Sequence, residues 1–306
     1  MNATPRAEAD GYVGRFAPSP TGRLHLGSLV AAMASYAQAR AAGGRWLVRM
    51  EDLDPPRERP GAALAIEADL KRFGMEADEP VLYQSTRAEA YQTALDALDT
   101  QGRLFPCACT RKSLRGHAIY PGTCRNGLKP GETGRTLRVR VAGQIGFVDQ
   151  LQGEQQQDLE REIGDFVVRR GDGLTAYQLA VVVDDAWQGV TEVVRGSDLL
   201  DSTPRQIYLQ RLLDLPTPRY VHVPVAVNPA GTKLSKQTGA TPVDPQNPLP
   251  ALKSAWGLLG QAALPGTLRA TPDEFWEAAI PAWRLNRVPA VGEVAADRYH
   301  SGFSRN

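Results

Sequence analysis

The chain has 306 residues, of which 42% are hydrophobic and 23% charged, with a net charge of +1. These are the proportions of a globular enzyme with room for two or three packed units. Residues 1–10 lack the apolar core of a secretory leader, and no run approaches the roughly 20 apolar residues of a membrane-crossing helix, so a cytoplasmic protein without a membrane partner is expected. With so small a net charge, a nucleic-acid partner must be met by a local basic face.

Residues 12–17 read as a short strand, followed by a turn rich in Pro and Gly. Leu26, Leu29, Val30, Met33 and Ala37 recur at helical spacing, which predicts a helix to about Ala42 that stops at Gly43-Gly44. In residues 45–50, Trp46, Val48 and Met50 alternate against Arg45 and Arg49 as in a strand. Ala63, Ile66, Leu70 and Phe73 predict a helix ended by Gly74. Thr86-x-x-Glu89 predicts a capping box at the start of another, ended by Gly102. Alternating strands and helices predict an α/β fold with a parallel sheet covered by helices.

The alternation breaks at Leu104. Residues 104–164, rich in polar residues and glycine and carrying all three cysteines, read as an insertion. Residues 165–170 and 174–183 predict paired strands around the turn Gly171-Asp172-Gly173. Ser202 and Pro204 open a helix through Leu212, residues 221–227 a short apolar strand, and residues 241–250 a Pro-rich connection to a small helical C-terminal part. The expected units are residues 1–103 and 165–240 as two halves of one domain, 104–164 as the insertion, and 241–306 as the helical remainder.

Two distant motifs carry the chemistry. His25 falls at the start of the first helix, where unpartnered N–H groups and the helix dipole favour an anion. Gly22 and Gly27 permit close backbone approach, so His25 and Gly27 are candidates for contact with a nucleotide phosphate. Lys233 and Lys236, three apart in a Gly-led loop, can neutralise the charge of a triphosphate from the other side. Neither a P-loop nor a dinucleotide-binding glycine fingerprint is present, which argues against those enzyme classes. At the carboxyl ends of the first two strands, where open parallel sheets bind ligands, stand Arg15 and Glu51. With Arg195 they offer two guanidinium groups for two carboxylates and one carboxylate for an ammonium, the set an acidic amino acid needs. Tyr177 adds a hydroxyl. A structural Arg15–Glu51 ion pair is the plainer alternative, and Asp184-Asp185 could be solvated turn acids.

Several motifs together carry a resemblance: residues 14–22 with His25-Leu26-Gly27, Arg49-Met50-Glu51-Asp52-Leu53-Asp54, Val183-Asp184-Asp185, Val194-Arg195-Gly196-Ser197-Asp198, and Lys233-Leu234-Ser235-Lys236. Over roughly residues 12 to 240 the chain resembles the catalytic domain of the glutamyl-tRNA synthetases, class I aminoacyl-tRNA synthetases. Lys233-Leu234-Ser235-Lys236-Gln237 departs from the usual Lys-Met-Ser-Lys-Ser of that family but keeps both charges. Only about 65 residues follow, with no expected anticodon-binding domain, so the chain is similar to the truncated glutamyl-Q tRNA(Asp) synthetase branch.

The resemblance implies a Rossmann-like class I synthetase catalytic domain. It implies activation of L-glutamate with ATP and magnesium, without tRNA, then transfer of glutamate to the cyclopentenediol of queuosine in the anticodon loop of tRNA(Asp). It implies glutamate binding by Arg15, Phe16, Ala17, Pro18, Ser19, Glu51, Tyr177 and Arg195, phosphate contact by His25 and ATP binding by Lys236. Arg195 is the preferred partner of the side-chain carboxylate, with Arg15 assisting. Cys107, Cys109 and Cys124 offer three thiolates, and a structural zinc normally takes four ligands. His117 is the candidate fourth from residue chemistry, and Tyr120 the one the resemblance implies, for one structural zinc per chain. Two rivals remain: a short synthetase charging a tRNA 3′ end, and an inactive zinc-containing RNA-binding module.

Overall fold

The computed structural model describes residues 11–234, 241–265 and 271–296. In chain order the first elements are β1 (Val13–Phe16), α1 (Leu26–Ala41), β2 (Arg45–Met50), α2 (Ala62–Arg72), β3 (Leu82–Tyr83) and α3 (Ala88–Thr100). Then come β4 (Leu104–Cys107), β5 (Thr136–Val139), β6 (Gln144–Asp149), β7 (Gly153–Asp158), α4 (Leu159–Glu162) and β8 (Phe166–Arg169). The last are α5 (Tyr177–Trp187), β9 (Glu192–Gly196), α6 (Thr203–Leu212), β10 (Arg219–Val223), β11 (Val225–Val227), α7 (Pro248–Leu258), α8 (Pro272–Ala282) and β12 (Glu293–Ala295).

Strands β1, β2 and β3 pair in parallel, as do β9, β10 and β6, with β7 antiparallel on the outer edge of β6. Thr191, just before β9, donates its N–H to the Val13 carbonyl at 2.9 Å. This sets β9 beside β1, in the spatial sequence β3, β2, β1, β9, β10, β6, β7. The chain order reverses between β1 and β9, and the crevice at the carboxyl ends of the strands there is where such sheets bind ligands. Two smaller sheets, antiparallel β4-β5-β8 and parallel β11-β12, flank this frame.

Helix α1, Ala-rich and buried over most of its surface, covers the first sheet. Met33 and Trp46 share one apolar core with Trp256, Phe275 and Trp276, so the C-terminal helices α7 and α8 pack into the main body. Trp276 donates its indole N–H to the Phe73 carbonyl at 2.8 Å, and Trp283 to Gln38 at 2.7 Å, fixing that contact with buried polar atoms satisfied.

The structure departs from the sequence-based expectations in three local ways. Residues 174–183 are not a strand. Only Thr175 bridges back to Arg169, and α5 begins at Tyr177. The run from Leu179 to Ala186 is buried all round, and such a helix has no polar face to betray its period. The expected capping box is absent: residues 84–87 form a 3₁₀ turn, α3 starts at Ala88, and Thr86 bonds the Tyr83 carbonyl instead. The expected strand at 221–227 is split at Pro224, which has no N–H for a sheet ladder, into β10 and β11. Strand pairing also crosses the expected boundary at residue 164, because β6 pairs with β10 and β8 with β5.

Candidate active site

A cavity of about 500 Å³ opens at the β1/β9 crevice. Arg15, Phe16, Ala17, Pro18 and Ser19 line it from β1 and the following turn, Glu51 from the end of β2, and Tyr177 from the start of α5. Arg195 enters from β9, His25 and Gly27 from the start of α1, and Lys233 from the segment after β11. Every described residue singled out for glutamate or ATP from sequence thus meets at one cavity. Lys236 lies outside the described residues.

The start of α1 is built to hold the imidazole. Ser28 donates its backbone N–H to His25 Nδ1 at 3.2 Å, and His25 donates its own to Ser28 Oγ at 2.9 Å, a reciprocal N-terminal cap. Because Nδ1 accepts, Nε2 is the ring's donor. A Cβ added to Gly27 would lie 2.8 Å from the Leu234 carbonyl oxygen, so only glycine lets the Lys233-Leu234 segment come this close. That segment is tied down by Leu234 N–H to the Ala226 carbonyl at 2.8 Å, and Lys233 pairs with Asp198.

Arg15 and Glu51, which line the cavity, are linked through two further buried charged groups, Asp185 and Arg49. Asp185 Oδ1 accepts from Arg49 Nη1 at 2.7 Å and from Arg15 Nε at 3.2 Å, and Arg49 Nη2 lies 3.5 Å from Glu51. The expected alternative of a direct Arg15–Glu51 pair is replaced by this bridge through Asp185. Asp184 and Asp185 are buried helix residues, not solvated turn acids; Asp184 accepts from Gln84, Arg87 and Tyr91. Burial pushes the Asp185 carboxyl up, but Arg15 and Arg49 outweigh it and hold the group below its ordinary value. For Glu51 burial wins over Arg49 and Arg15, and its carboxyl is pushed up to about 7. A buried carboxylate with an unsatisfied demand for positive charge suits an ammonium ligand.

Arg195 is held by Thr203 Oγ1 and His222 Nε2 at 2.9 and 3.0 Å, while its Nη1 is buried with no partner among the described residues. His222 in turn meets Asp149 Oδ2 at 2.6 Å. Sequence reasoning gave no role to Arg49, Asp149 or His222. Arg49 reads as an outward strand residue by alternation, and the other two sit in no motif; only the adjacency of β6, β10 and β9 joins them to the site.

In the insertion, the three cysteine sulfurs all lie within 4.8 Å of one another, a cluster that could hold a metal ion. The Tyr120 hydroxyl stands 3.5 Å from Cys107 Sγ and accepts the Cys124 backbone N–H at 2.8 Å. His117 is exposed, on the wall of a separate cavity, and is not in the cysteine cluster. Burial pushes the Cys107 thiol up, but hydrogen bonds from Tyr120 and Arg138 outweigh it and bring it down to about 7. A donor set of three adjacent thiols fits a thiophilic divalent ion.

Residues 12–248 match the family model described as tRNA synthetases class I (E and Q), catalytic domain. A protein named glutamyl-Q tRNA(Asp) synthetase from Aromatoleum aromaticum is 54% identical over 96% of this chain and 96% of its own length. One of the same name from Burkholderia cenocepacia is 55% identical over 92% of this chain and 99% of its own. Among solved structures, a glutamate tRNA ligase from Elizabethkingia meningosepticum, crystallised in complex with its amino acid, has the same fold. Its TM-score is 0.76 at 23% identity, over 93% of this chain and 67% of that one. The chain belongs to the class I tRNA synthetases of the E and Q group and, within that group, to the glutamyl-Q tRNA(Asp) synthetases.

Proposed function

We propose that this chain activates L-glutamate with ATP in the absence of tRNA and then transfers the glutamyl group to the queuosine cyclopentenediol at the wobble position of tRNA(Asp). The observation that carries the reading is the meeting, at one cavity, of Arg15, Arg195 and Glu51 with the His25 helix start and Lys233. The three charged residues match an amino acid with two carboxylates and one ammonium; the helix start and the lysine match a triphosphate. Arg195, with its spare Nη1, is assigned to the side-chain carboxylate, Arg15 assists, and Glu51 takes the ammonium. Phe16 to Ser19 and Tyr177 supply the remaining wall.

In the first step the α-carboxylate of glutamate attacks the α-phosphorus, the bond to the bridging oxygen breaks, and pyrophosphate leaves. His25 Nε2–H and the first N–H groups of α1 face the phosphates, and Lys233 with Lys236 neutralises the charge that moves to pyrophosphate. Magnesium arrives with the nucleotide, as it does with phosphate ligands generally. In the second step a queuosine hydroxyl attacks the activated carbonyl, losing its proton as AMP departs. The base must leave its stack to reach the cavity, which a single-stranded loop makes affordable. The first part of the insertion supports an RNA partner by its charge: Arg111, Lys112, Arg115, Lys129 and Arg135 are exposed there, with Glu132 the only acid between 104 and 140.

Zinc is assigned to Cys107, Cys109 and Cys124 with the Tyr120 oxygen as fourth ligand, a role that stiffens the insertion. Reduced cysteines committed to a metal fit a cytoplasmic location. Cys109→Ser is expected to reduce zinc to less than half an atom per chain by elemental analysis while far-ultraviolet circular dichroism is retained; undiminished zinc would remove Cys109 from the ligand set.

Glutamate-dependent pyrophosphate–ATP exchange without tRNA tests the first step, and digestion of the charged tRNA tests the second. Label is expected on the wobble nucleoside. Label on the terminal adenosine would instead identify a short synthetase charging the 3′ end, and the absence of any exchange would identify a binding module.

A further inference from the structure

Three adjacent strands each contribute one buried polar side chain to a single line: Asp149 from β6, His222 from β10 and Arg195 from β9. His222 and Arg195 are register partners in the parallel β9–β10 ladder. The His222 and Asp149 side chains are both 0% exposed. Asp149 Oδ1 accepts backbone N–H groups from Leu151 at 3.0 Å, Gln152 at 2.8 Å and His222 at 3.3 Å, while Oδ2 alone faces His222 Nδ1 at 2.6 Å. The carboxylate is therefore clamped in one orientation.

We infer that Asp149 and His222 are positioning residues for Arg195, forming a relay that fixes the imidazole as its Nδ1–H tautomer. The ionised carboxylate can only accept, so Nδ1 carries the proton and Nε2 is bare. The bare Nε2 receives Arg195 Nε–H at 3.0 Å and the Thr203 hydroxyl at 3.2 Å, and the same hydroxyl accepts from Arg195 Nη2 at 2.9 Å. Nε and Nη2 are thus committed and Nη1 is left for the substrate carboxylate, which makes the relay a device for setting the guanidinium plane. Burial pulls His222 below its ordinary value against the opposing pull of Asp149, and the neighbouring charges of Arg195 and Arg15 add to the lowering, so the ring stays neutral at pH 7. The inference rests on the reading that Arg195 grips glutamate.

Asp149→Asn is the decisive variant. The three backbone donors hold the amide oxygen at the Oδ1 position, which turns the NH2 group toward His222 Nδ1. The proton must then move to Nε2, where it opposes the Arg195 N–H. Ring ¹⁵N shifts of labelled histidine in the full chain are expected to change from the Nδ1–H to the Nε2–H pattern for one of its 4 histidines. In pyrophosphate exchange, the KM for glutamate is expected to rise at least tenfold with the KM for ATP within twofold. His222→Gln can accept from Arg195 and donate to Asp149, and is expected to keep the glutamate KM within threefold of wild type. His222→Phe, which can do neither, is expected to match Asp149→Asn.

A flipped tautomer with unchanged glutamate KM overturns the inference, as does an unchanged tautomer, a parallel rise in both KM values, or a His222→Gln protein no better than His222→Phe. If Asp149→Asn does not fold, the Gln–Phe comparison at 222 decides. Arg195→Ala with an unchanged glutamate KM would overturn the underlying reading of Arg195 instead, and is distinguishable because the tautomer shift is read without substrate.

Discussion

Asp185→Ala is expected to destabilise the protein by about 3–5 kcal/mol, the cost of breaking a buried ion pair by removing one partner. Asp185 Oδ1 is the shared acceptor of Arg49 and Arg15, whose side chains are 0% and 4% exposed. Without it two guanidinium groups remain in the interior with Glu51 as the nearest acid, 3.5 Å from Arg49. For a chain of this size such a loss lowers Tm by on the order of ten degrees. The pH dependence follows from the sign of the shift. Although burial opposes it, the two arginines hold the folded carboxyl below its unfolded value. Its contribution is present above the unfolded value near 4 and fades as pH falls through the folded one. Thermal denaturation of the variant at pH 7 and pH 3.5 is the measurement. A difference from wild type under about 2 °C at pH 7, on the scale of surface substitutions, would show that the bridge contributes little.

Glu51→Gln is expected to act in opposite directions on stability and activity. Burial raises the Glu51 carboxyl from 4.5 to about 7, against Arg49 and Arg15. With a raised folded value, destabilisation by this group accrues as pH climbs from about 4.5 to 7 and is constant above. The isosteric amide removes that penalty, so the empty protein is expected to gain about 3 kcal/mol at pH 8, a Tm rise of several degrees. The gain shrinks below pH 7 and disappears near 4.5. The same change deletes the charge assigned to the substrate ammonium, and kcat/KM for glutamate in exchange is expected to fall at least hundredfold, about 2.7 kcal/mol of lost transition-state binding. In wild type, glutamate binding should weaken as pH drops through about 7, because the ammonium requires ionised Glu51. A variant that is less stable at pH 8 would contradict the burial argument, and one with unaltered glutamate kinetics would contradict the ammonium assignment.

These opposed outcomes are those expected if Glu51 is short of positive charge in the empty protein and the proposed ammonium ligand supplies it. Asp185 has two cations within 3.2 Å and is satisfied by the protein itself; Glu51 has one at 3.5 Å and is not. A buried acid left short of positive charge is the mark of a group awaiting a partner.

Much of the local structure was open to reading from residue order. The period of α2 is visible because its apolar residues alternate with exposed polar ones, that of α1 because its larger apolar residues recur at helical spacing among alanines, and Gly74 and Gly102 end their helices by left-handed geometry at φ 71° and 65°. The start of α1 is legible for the same reason, since a helix cap is made by residues three apart, His25 and Ser28. Helix α5 was not, because Leu179 to Ala186 is buried on every side and its composition is that of a buried strand.

By itself the sequence determined which chemical groups are available and where the backbone turns. Two guanidinium groups, an acid, an imidazole at a helix start and three clustered thiols are properties of residue type and short spacing, which local hydrogen bonding and side-chain chemistry settle. Only the tertiary structure decided how they are wired. Asp185 lies 136 residues from Arg49, and Asp149 lies 73 from His222. Nothing in a residue's near neighbours encodes a partner at that distance. Such pairs exist because the sheet sets β9 between β1 and β10 and β10 beside β6, and because burial in a low-dielectric interior makes each charge find a counter-charge or stay unmet until substrate arrives.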